Sequence, residues 1–405
     1  MQTAIDEKIG ATPEGREAEA ILRNCVHCGF CNATCPTYQL LGDELDGPRG
    51  RIYLIKQVLE GQPVSRETQV HLDRCLTCLA CETTCPSGVK YSHLLDVGRQ
   101  LVAERVVRPW LERVKRGVLR AVLPQPRRFA SLLKLGRTLR PLLPAALREQ
   151  ILPAQPSPHW PAARHNRKML VLDGCVQPGL APHINAATAR VLDHLGISLI
   201  AAKGAGCCGA VSHHLGAAHA AQDDMRRNID AWWPHVEAGA EAIVLTASGC
   251  GTTVKEYAHH LRFDPAYAAK AARITELARD IGEVLAAEDL SRLRIAQPTR
   301  VAFHAPCSLQ HGQQLGGVVE GILTASGYSL TAVADAHLCC GSAGTYSLLQ
   351  PVLSQQLLGN KVQALQAGEP ELIATANIGC LTHLASRATV PAVHWIELLE
   401  RLIPS

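Results

Sequence analysis

Eight cysteines of this chain fall into two copies of one spacing: Cys25, Cys28, Cys31 and Cys35 before Pro36, then Cys75, Cys78, Cys81 and Cys85 before Pro86. Thiolates at this interval hold [4Fe–4S] cubanes. Three cysteines wrap one corner of a cube, and the fourth, released by the proline, ligates the other cluster. The spacing therefore predicts one cluster on Cys25, Cys28, Cys31 and Cys85, and a second on Cys75, Cys78, Cys81 and Cys35. Exchanged ligands place two one-electron carriers side by side. Zinc ribbons need only four ligands per ion and have no use for a third cysteine at the same interval. Disulfide frameworks belong to small secreted domains. The opening MQTAIDEKIG has no basic-then-apolar export signal. A cytoplasmic chain is expected, with its 16 cysteines as metal ligands or redox groups.

The other eight cysteines form an internal repeat. Cys175 precedes the pair Cys207–Cys208 and Gly209, with Cys250 later; Cys307 likewise precedes Cys339–Cys340 and Gly341, with Cys380 later. Matching cysteines lie 132, 132 and 130 residues apart. Glycine after a vicinal pair lets the backbone turn so that both sulfurs face one site. The final cysteines close strand-like runs, LTASGC and ATANIGC. Three chemistries fit each set: a further iron–sulfur cluster, a zinc ion, or a thiol–disulfide centre. Residues 204–209, GAGCCG, also spell a dinucleotide fingerprint. The copy, AHLCCG, lacks the first two glycines, and no acid follows at the required distance, so nucleotide binding is not expected there.

Positioning these thiols requires two kinds of scaffold. Around the first two runs, residues 16–24, 50–60 and 66–74 read as helices, with Ile52, Ile55, Val58 and Leu59 on one face. Thirty-nine residues separate Cys35 from Cys75, room for a helical insert, so the expected domain is an α-helical ferredoxin spanning 1–104. From Met169 onward, short apolar runs (MLVLDG, ISLIAA, AIVLTA, VAFHA, YSLTAV, LIATA, PAVHW) alternate with helical stretches. That alternation predicts two α/β lobes with largely parallel sheets, 169–298 and 299–405, each presenting its cysteines at strand ends.

Between them, 105–168 is a basic amphipathic segment followed by a Pro-rich linker. From Arg105 to Arg148 there are twelve Lys or Arg and one acid, Glu112, a charge of +11 within a chain of net charge +4. Pro109, Pro124, Pro126, Pro141 and Pro144 cut it into short helices. Such a run suits an anionic membrane surface, an acidic partner or a solvated connector. No stretch approaches the roughly 18 apolar residues of a membrane span, and nothing points to nucleic acid.

The tandem Cys…Cys-Cys-Gly…Cys arrangement resembles the cysteine-rich (CCG) domain of heterodisulfide reductase and other oxidoreductase subunits. With the opening CVHCGFCNATCPTYQLLGDELDGPRGRIYLIK and the order of elements over 20–400, the whole chain resembles the family of bacterial glycolate oxidase iron–sulfur subunits. Related layouts occur in anaerobic glycerol-3-phosphate dehydrogenase and lactate-utilisation proteins. The resemblance implies an electron-transfer subunit of an oxidoreductase complex. Flavoprotein partner subunits carrying FAD would oxidise glycolate to glyoxylate, a quinone or other acceptor would take the electrons, and the complex would sit peripherally on the inner face of the cytoplasmic membrane. No residue of this chain is expected to be catalytic. Alternatives are a disulfide or quinone reductase acting at the CCG cysteines, or the same wire serving a glycerol-3-phosphate or lactate dehydrogenase.

One departure stands out. In heterodisulfide reductase relatives the unusual non-cubane cluster uses five cysteines, the last two as Cys-x-x-Cys. At that interval Cys250 has Ala247 and Thr253, and Cys380 has Asn377 and His383. His383 is the candidate substitute in the second lobe. His213, His214, His219 and His304 are expected to be structural, and His27 to tune its cluster without ligating it.

Overall fold

The computed structural model describes residues 1–142, 144 and 159–403. Most of the Pro-rich linker lies outside them. Prolines and short polar side chains open the N-terminal helices. Thr12 caps Pro13–Asn24 by accepting from the Gly15 amide, and Ser65 caps Arg66–Asp73 through Thr68. The helix Pro48–Leu59 buries Ile52, Ile55, Val58 and Leu59, the face its periodicity predicts. With Tyr91–Arg105 these helices enclose a core of Leu22, Ile55, Leu59, Leu72, Leu94 and Leu95. Among the described residues no strand precedes Arg167, so the first two cysteine runs sit in a helical unit.

The C-terminal half is two parallel four-stranded sheets of the same design, ordered β2-β1-β3-β4 and β6-β5-β7-β8. The first contains β1 (Arg167–Val171), β2 (Ile197–Ala201), β3 (Ile243–Leu245) and β4 (Ala278–Asp280). The second contains β5 (Arg300–His304), β6 (Ser329–Leu330), β7 (Leu372–Thr375) and β8 (Ala392–His394). Seven of the eight coincide with the apolar runs. The eighth, β4, reads Ala-Arg-Asp and follows a helix directly, so it has no apolar run to reveal it. Its pairing with β3 alone makes it a strand.

The lobes are not independent. One buried core joins Val171, Ile184, Val244 and Ile281 to Val301, Phe303, Ala374 and Trp395. Across the seam the Ser248 amide donates to the Ala376 carbonyl at 3.1 Å, and His394 Nε2 donates to the Thr246 carbonyl at 2.8 Å.

The basic segment forms two helices, Trp110–Val122 and Pro126–Leu139. One side of it is anchored: Arg108 and Arg116 pair with Asp73, Lys115 donates to the Leu348 carbonyl, and Phe129 and Leu133 lie against Gly179. The other side leaves Val107, Trp110, Leu111, Val114, Val118, Leu132, Leu135 and Leu139 exposed.

The helical unit docks on both lobes. Toward the first lobe, Asp96 pairs with His213 at 2.9 Å and Glu17 with Arg262 at 2.6 Å, and His93 stacks on His259 with ring centroids 3.7 Å apart. The Asp96 carboxylate raises the His213 pKa, while burial pushes His260 down to about 3. His213 is therefore a docking residue.

Candidate metal centres

Two loops of matching geometry carry the first eight thiols. His27 and Thr77, and then Gly29 and Leu79, have positive φ at equivalent positions of the two runs. Left-handed residues between the cysteines fold each run back on itself, so three sulfurs converge. Thr77 and Leu79 hold this conformation without glycine's freedom, a cost on the order of 1–2 kcal/mol each that the packed loop sustains. The fourth cysteine of each run leaves this wrap: Cys35 caps the helix Pro36–Leu41, and Cys85 ends Ala80–Thr84.

The fourth cysteine of each run lines the cavity of the other run. One cavity is lined by Cys35, Cys75, Cys78 and Cys81 together with Arg51 and Tyr91. The other is lined by Cys25, Cys28, Cys31 and Cys85, with Cys81 and Tyr91 on the wall between them. Four thiols per cavity is the ligand count of a cubane. Burial pushes Cys31 up to about 11 and Cys78 and Cys81 well above a free thiol, so binding there must displace protons. His27 bonds to the Arg49 carbonyl at 3.3 Å and lines its cavity.

A buried polar network clamps Cys35. Asp46, fully buried, faces Arg51 at 3.4 Å, His71 at 3.1 Å and Arg74 at 2.7 Å. Arg51 also donates to Thr37 Oγ1 at 3.1 Å and reaches the Cys35 sulfur at 4.0 Å. The sequence reading missed this network; Asp46 and Arg74 lie 28 residues apart, and no local pattern joins them.

In the lobes the vicinal cysteines behave alike. Gly209 has φ +95 and Gly341 φ +87. A Cβ would meet the Ala221 carbonyl at 2.9 Å or the Ser354 carbonyl at 2.6 Å, so only glycine fits either turn. Each glycine amide donates to the sulfur two residues back, Cys207 or Cys339, at 3.4 Å. Cys250 and Cys380 do not end strands as expected. They lie in the first turns of Ser248–Lys255 and Ile378–Ala385, because each chain leaves its sheet and enters a helix before the cysteine is reached.

Each lobe gathers its four thiols. In the first, Cys175 and Cys208 lie beside Cys207, and Cys208 beside Cys250; this mutual proximity holds Cys207 low and Cys175 and Cys208 high. Arg227 donates to the Cys207 carbonyl at 3.3 Å. GAGCCG is the loop carrying this thiol pair. In the second lobe Cys307 and Cys339 are 3.8 Å apart, Cys339 adjoins Cys340, and Cys340 adjoins Cys380. Buried Lys361 stands near this set.

Two histidines exchange the roles expected of them. His383 turns to Ser354 Oγ at 3.1 Å and takes no place among the donors. His304, at the end of β5, has a ring nitrogen within 4.8 Å of both the Cys340 and Cys380 sulfurs. It is 2 % exposed, its Nε2 has no hydrogen-bond partner, and burial pushes it down to about 3, leaving the ring neutral. Its position three residues before Cys307, where the first lobe has Leu172 before Cys175, was the available signal.

The second lobe also touches the helical unit's thiols. Leu76, Cys78 and Ala80 share a buried cluster with Cys339, Tyr346, Leu353 and Leu357, with Cys307 at its edge. Tyr346 donates to the Arg74 carbonyl at 3.2 Å, and Thr83 bonds to His311 at 2.9 Å.

Comparison with known proteins agrees with this layout. The 4Fe-4S dicluster domain family matches residues 21–89, and the cysteine-rich domain family matches 169–255 and 301–385. The chain is 57% identical to the glycolate oxidase iron-sulfur subunit of Escherichia coli K12 over 405 residues, covering 100% of this chain and 99% of that one. It is 31% identical to the "Probable glycolate oxidase iron-sulfur subunit" of Bacillus subtilis 168, covering 95% and 94%. Lactate utilization protein A of Bacillus velezensis is 31% identical over 56% of this chain and 96% of its own length.

Proposed function

The chain belongs to the family of glycolate oxidase iron–sulfur subunits, and from that premise we propose that it carries electrons from flavoprotein partner subunits oxidising glycolate to glyoxylate. The observation that supports this best is the pair of four-thiol cavities sharing Cys81 and Tyr91 as a wall. Cys25, Cys28, Cys31 and Cys85 hold the first [4Fe–4S] cluster; Cys75, Cys78, Cys81 and Cys35 hold the second. When bound, the two clusters supply one-electron carriers. The protein's part is to hold them adjacent, to exclude water from the second with Leu76, Leu95 and Tyr91, and to set Arg51 against its thiolates. FAD resides on the partner subunits.

Purified anaerobically with its partners, the complex should reduce a dye with glycolate, and removing this chain should abolish electron delivery to a quinone analogue while the flavin is still reduced. Equal quinone reduction without this chain would overturn the reading. Glycerol-3-phosphate and lactate, tested in parallel, should give no comparable rate. Thiol–disulfide catalysis is not favoured, because Cys207, Cys208, Cys339 and Cys340 are all 3 % exposed or less, and a disulfide substrate needs an accessible thiolate.

The complex works on the inner face of the cytoplasmic membrane, with a quinone as acceptor. Among the described residues no helix is long and apolar enough to cross a bilayer. The exposed stripe of Val107, Leu111, Val114 and Val118, flanked by Arg113 and Arg120, suits the surface of an anionic bilayer. Flotation with phosphatidylglycerol vesicles should succeed, weaken with salt, and fail for the Val114→Asp/Val118→Asp variant. Equal flotation of that variant would remove this surface from the argument.

A further inference from the structure

We infer that the seam between the helical unit and the first lobe is a divalent-cation site, suited to zinc, whose donors are Glu17, His93 and His259. The three residues come from three elements: Glu17 from the helix Pro13–Asn24, His93 from Tyr91–Arg105 and His259 from Tyr257–His260. One carboxylate oxygen, Glu17 Oε1, stands 3.4 Å from His93 Nδ1 and 3.7 Å from His259 Nδ1. One donor atom from each of the three lies within 4.8 Å of the others. Both nitrogen–oxygen separations exceed a good N–H···O bond of about 2.7–3.2 Å. They approach the edge of a zinc tetrahedron instead, about 3.3 Å for metal–ligand bonds of about 2.0–2.1 Å. Two imidazoles that share one oxygen at this range make a poor hydrogen-bonding arrangement and a good chelate.

The surroundings orient the donors. His93 Nε2 donates to Glu256 at 3.3 Å, and a carboxylate there fixes the tautomer that leaves Nδ1 with a lone pair. Arg262 holds the other oxygen of Glu17 at 2.6 Å, so Oε1 is the atom presented to the rings. The rings stack with 3.7 Å between centroids and 12° between planes, which brings both Nδ1 atoms to that oxygen. Glu17 and Glu256 offset the ion's charge, with Arg262 opposing it. Two imidazoles and a carboxylate suit zinc, and three protein donors leave the fourth position to water. The three side chains are between 20 and 28 % exposed, so an ion can enter from solvent. Bound there, it ties the helical unit to the first lobe beside the Asp96–His213 pair, and its binding free energy adds to their docking. None of these residues belongs to a cysteine set, so the site stands whatever the thiols hold.

The test uses the full chain, purified anaerobically, washed with EDTA and titrated with zinc chloride by calorimetry and by hydrogen exchange. Zinc taken up by cysteines is common to wild type and variants, so the difference between them is what is read. Wild type should bind one more zinc per chain than His259→Ala or Glu17→Gln. Zinc should also slow exchange in Tyr91–Arg105 and Tyr257–His260 of wild type and leave both variants unchanged. Glu256→Gln should keep the site but weaken it about 10–100-fold, the usual loss when the partner behind a metal-bound histidine is removed. A seam held by ion pairs alone would loosen in these variants without any dependence on zinc. Equal zinc uptake by wild type and both ligand variants, or exchange at the seam indifferent to zinc, would overturn the proposal. Should His259→Ala not fold, Glu17→Gln, which keeps the side chain's size, decides alone.

Discussion

Replacing Cys78 with Ser is expected to stop electron flow through the chain. Cys78 is the middle cysteine of the second run; its sulfur lines the second cavity and its side chain packs into the cluster formed with Cys339 and Tyr346. Serine keeps the volume but offers an alcohol that stays protonated, so the second cluster loses a thiolate it cannot replace. Glycolate-dependent quinone reduction by the complex should fall by on the order of 100-fold or more, since losing even the partners of metal ligands costs about 10–100-fold. Iron should fall by about four per chain, one cubane, while the signal of the first cluster persists because its four cysteines are untouched. Flavin reduction by glycolate should be unchanged. Full iron content and full rate in Cys78→Ser would mean that these thiols do not hold the second cluster.

The largest effect on stability is expected at Asp46. Its carboxylate is fully buried and faces three cationic or protonatable side chains, Arg51, His71 and Arg74. Arg51 is itself buried. It donates to the His71 carbonyl at 2.8 Å and to Thr37, while Thr37 in turn donates to the Asp46 carbonyl at 2.7 Å. Asp46→Ala leaves the guanidinium buried without a countercharge, a change costing about 3–5 kcal/mol in comparable buried pairs. The urea midpoint of the helical unit should drop accordingly, and its second cluster should be lost first because Cys35 hangs from the same network. Asp46→Leu/Arg51→Met, which removes both charges, should recover most of the loss. A single substitution costing less than about 1 kcal/mol would show that the pair contributes no more than a surface bridge.

Much of the site was legible because chelation by a short loop is a local property. Cys-x-x-Cys-x-x-Cys needs only a few backbone angles to bring three sulfurs together, and the two runs adopt those angles at the same positions, His27 and Thr77, Gly29 and Leu79. The crossing of Cys35 and Cys85 followed from the prolines after them. The duplication of the lobes followed from cysteine spacing, and the requirement for Gly209 and Gly341 from the turn that a vicinal pair imposes. Sequence reading erred where the chain's path had to be followed residue by residue. It left out β4, a strand only through its pairing, and it placed Cys250 and Cys380 at strand ends rather than inside the next helix.

The sequence by itself determined the spacing and duplication of the cysteines, the helical and α/β character of the halves, and the family. Each of these is written in spacing and periodicity along a short stretch. Tertiary structure alone decided which lobe lies against the second four-thiol cavity and that His304, not His383, faces the thiols. It alone decided that Asp46 and Arg51 clamp Cys35 and that the lobes share one core. Those facts depend on side chains that meet across tens to hundreds of residues, where burial and packing, not local spacing, select the partner.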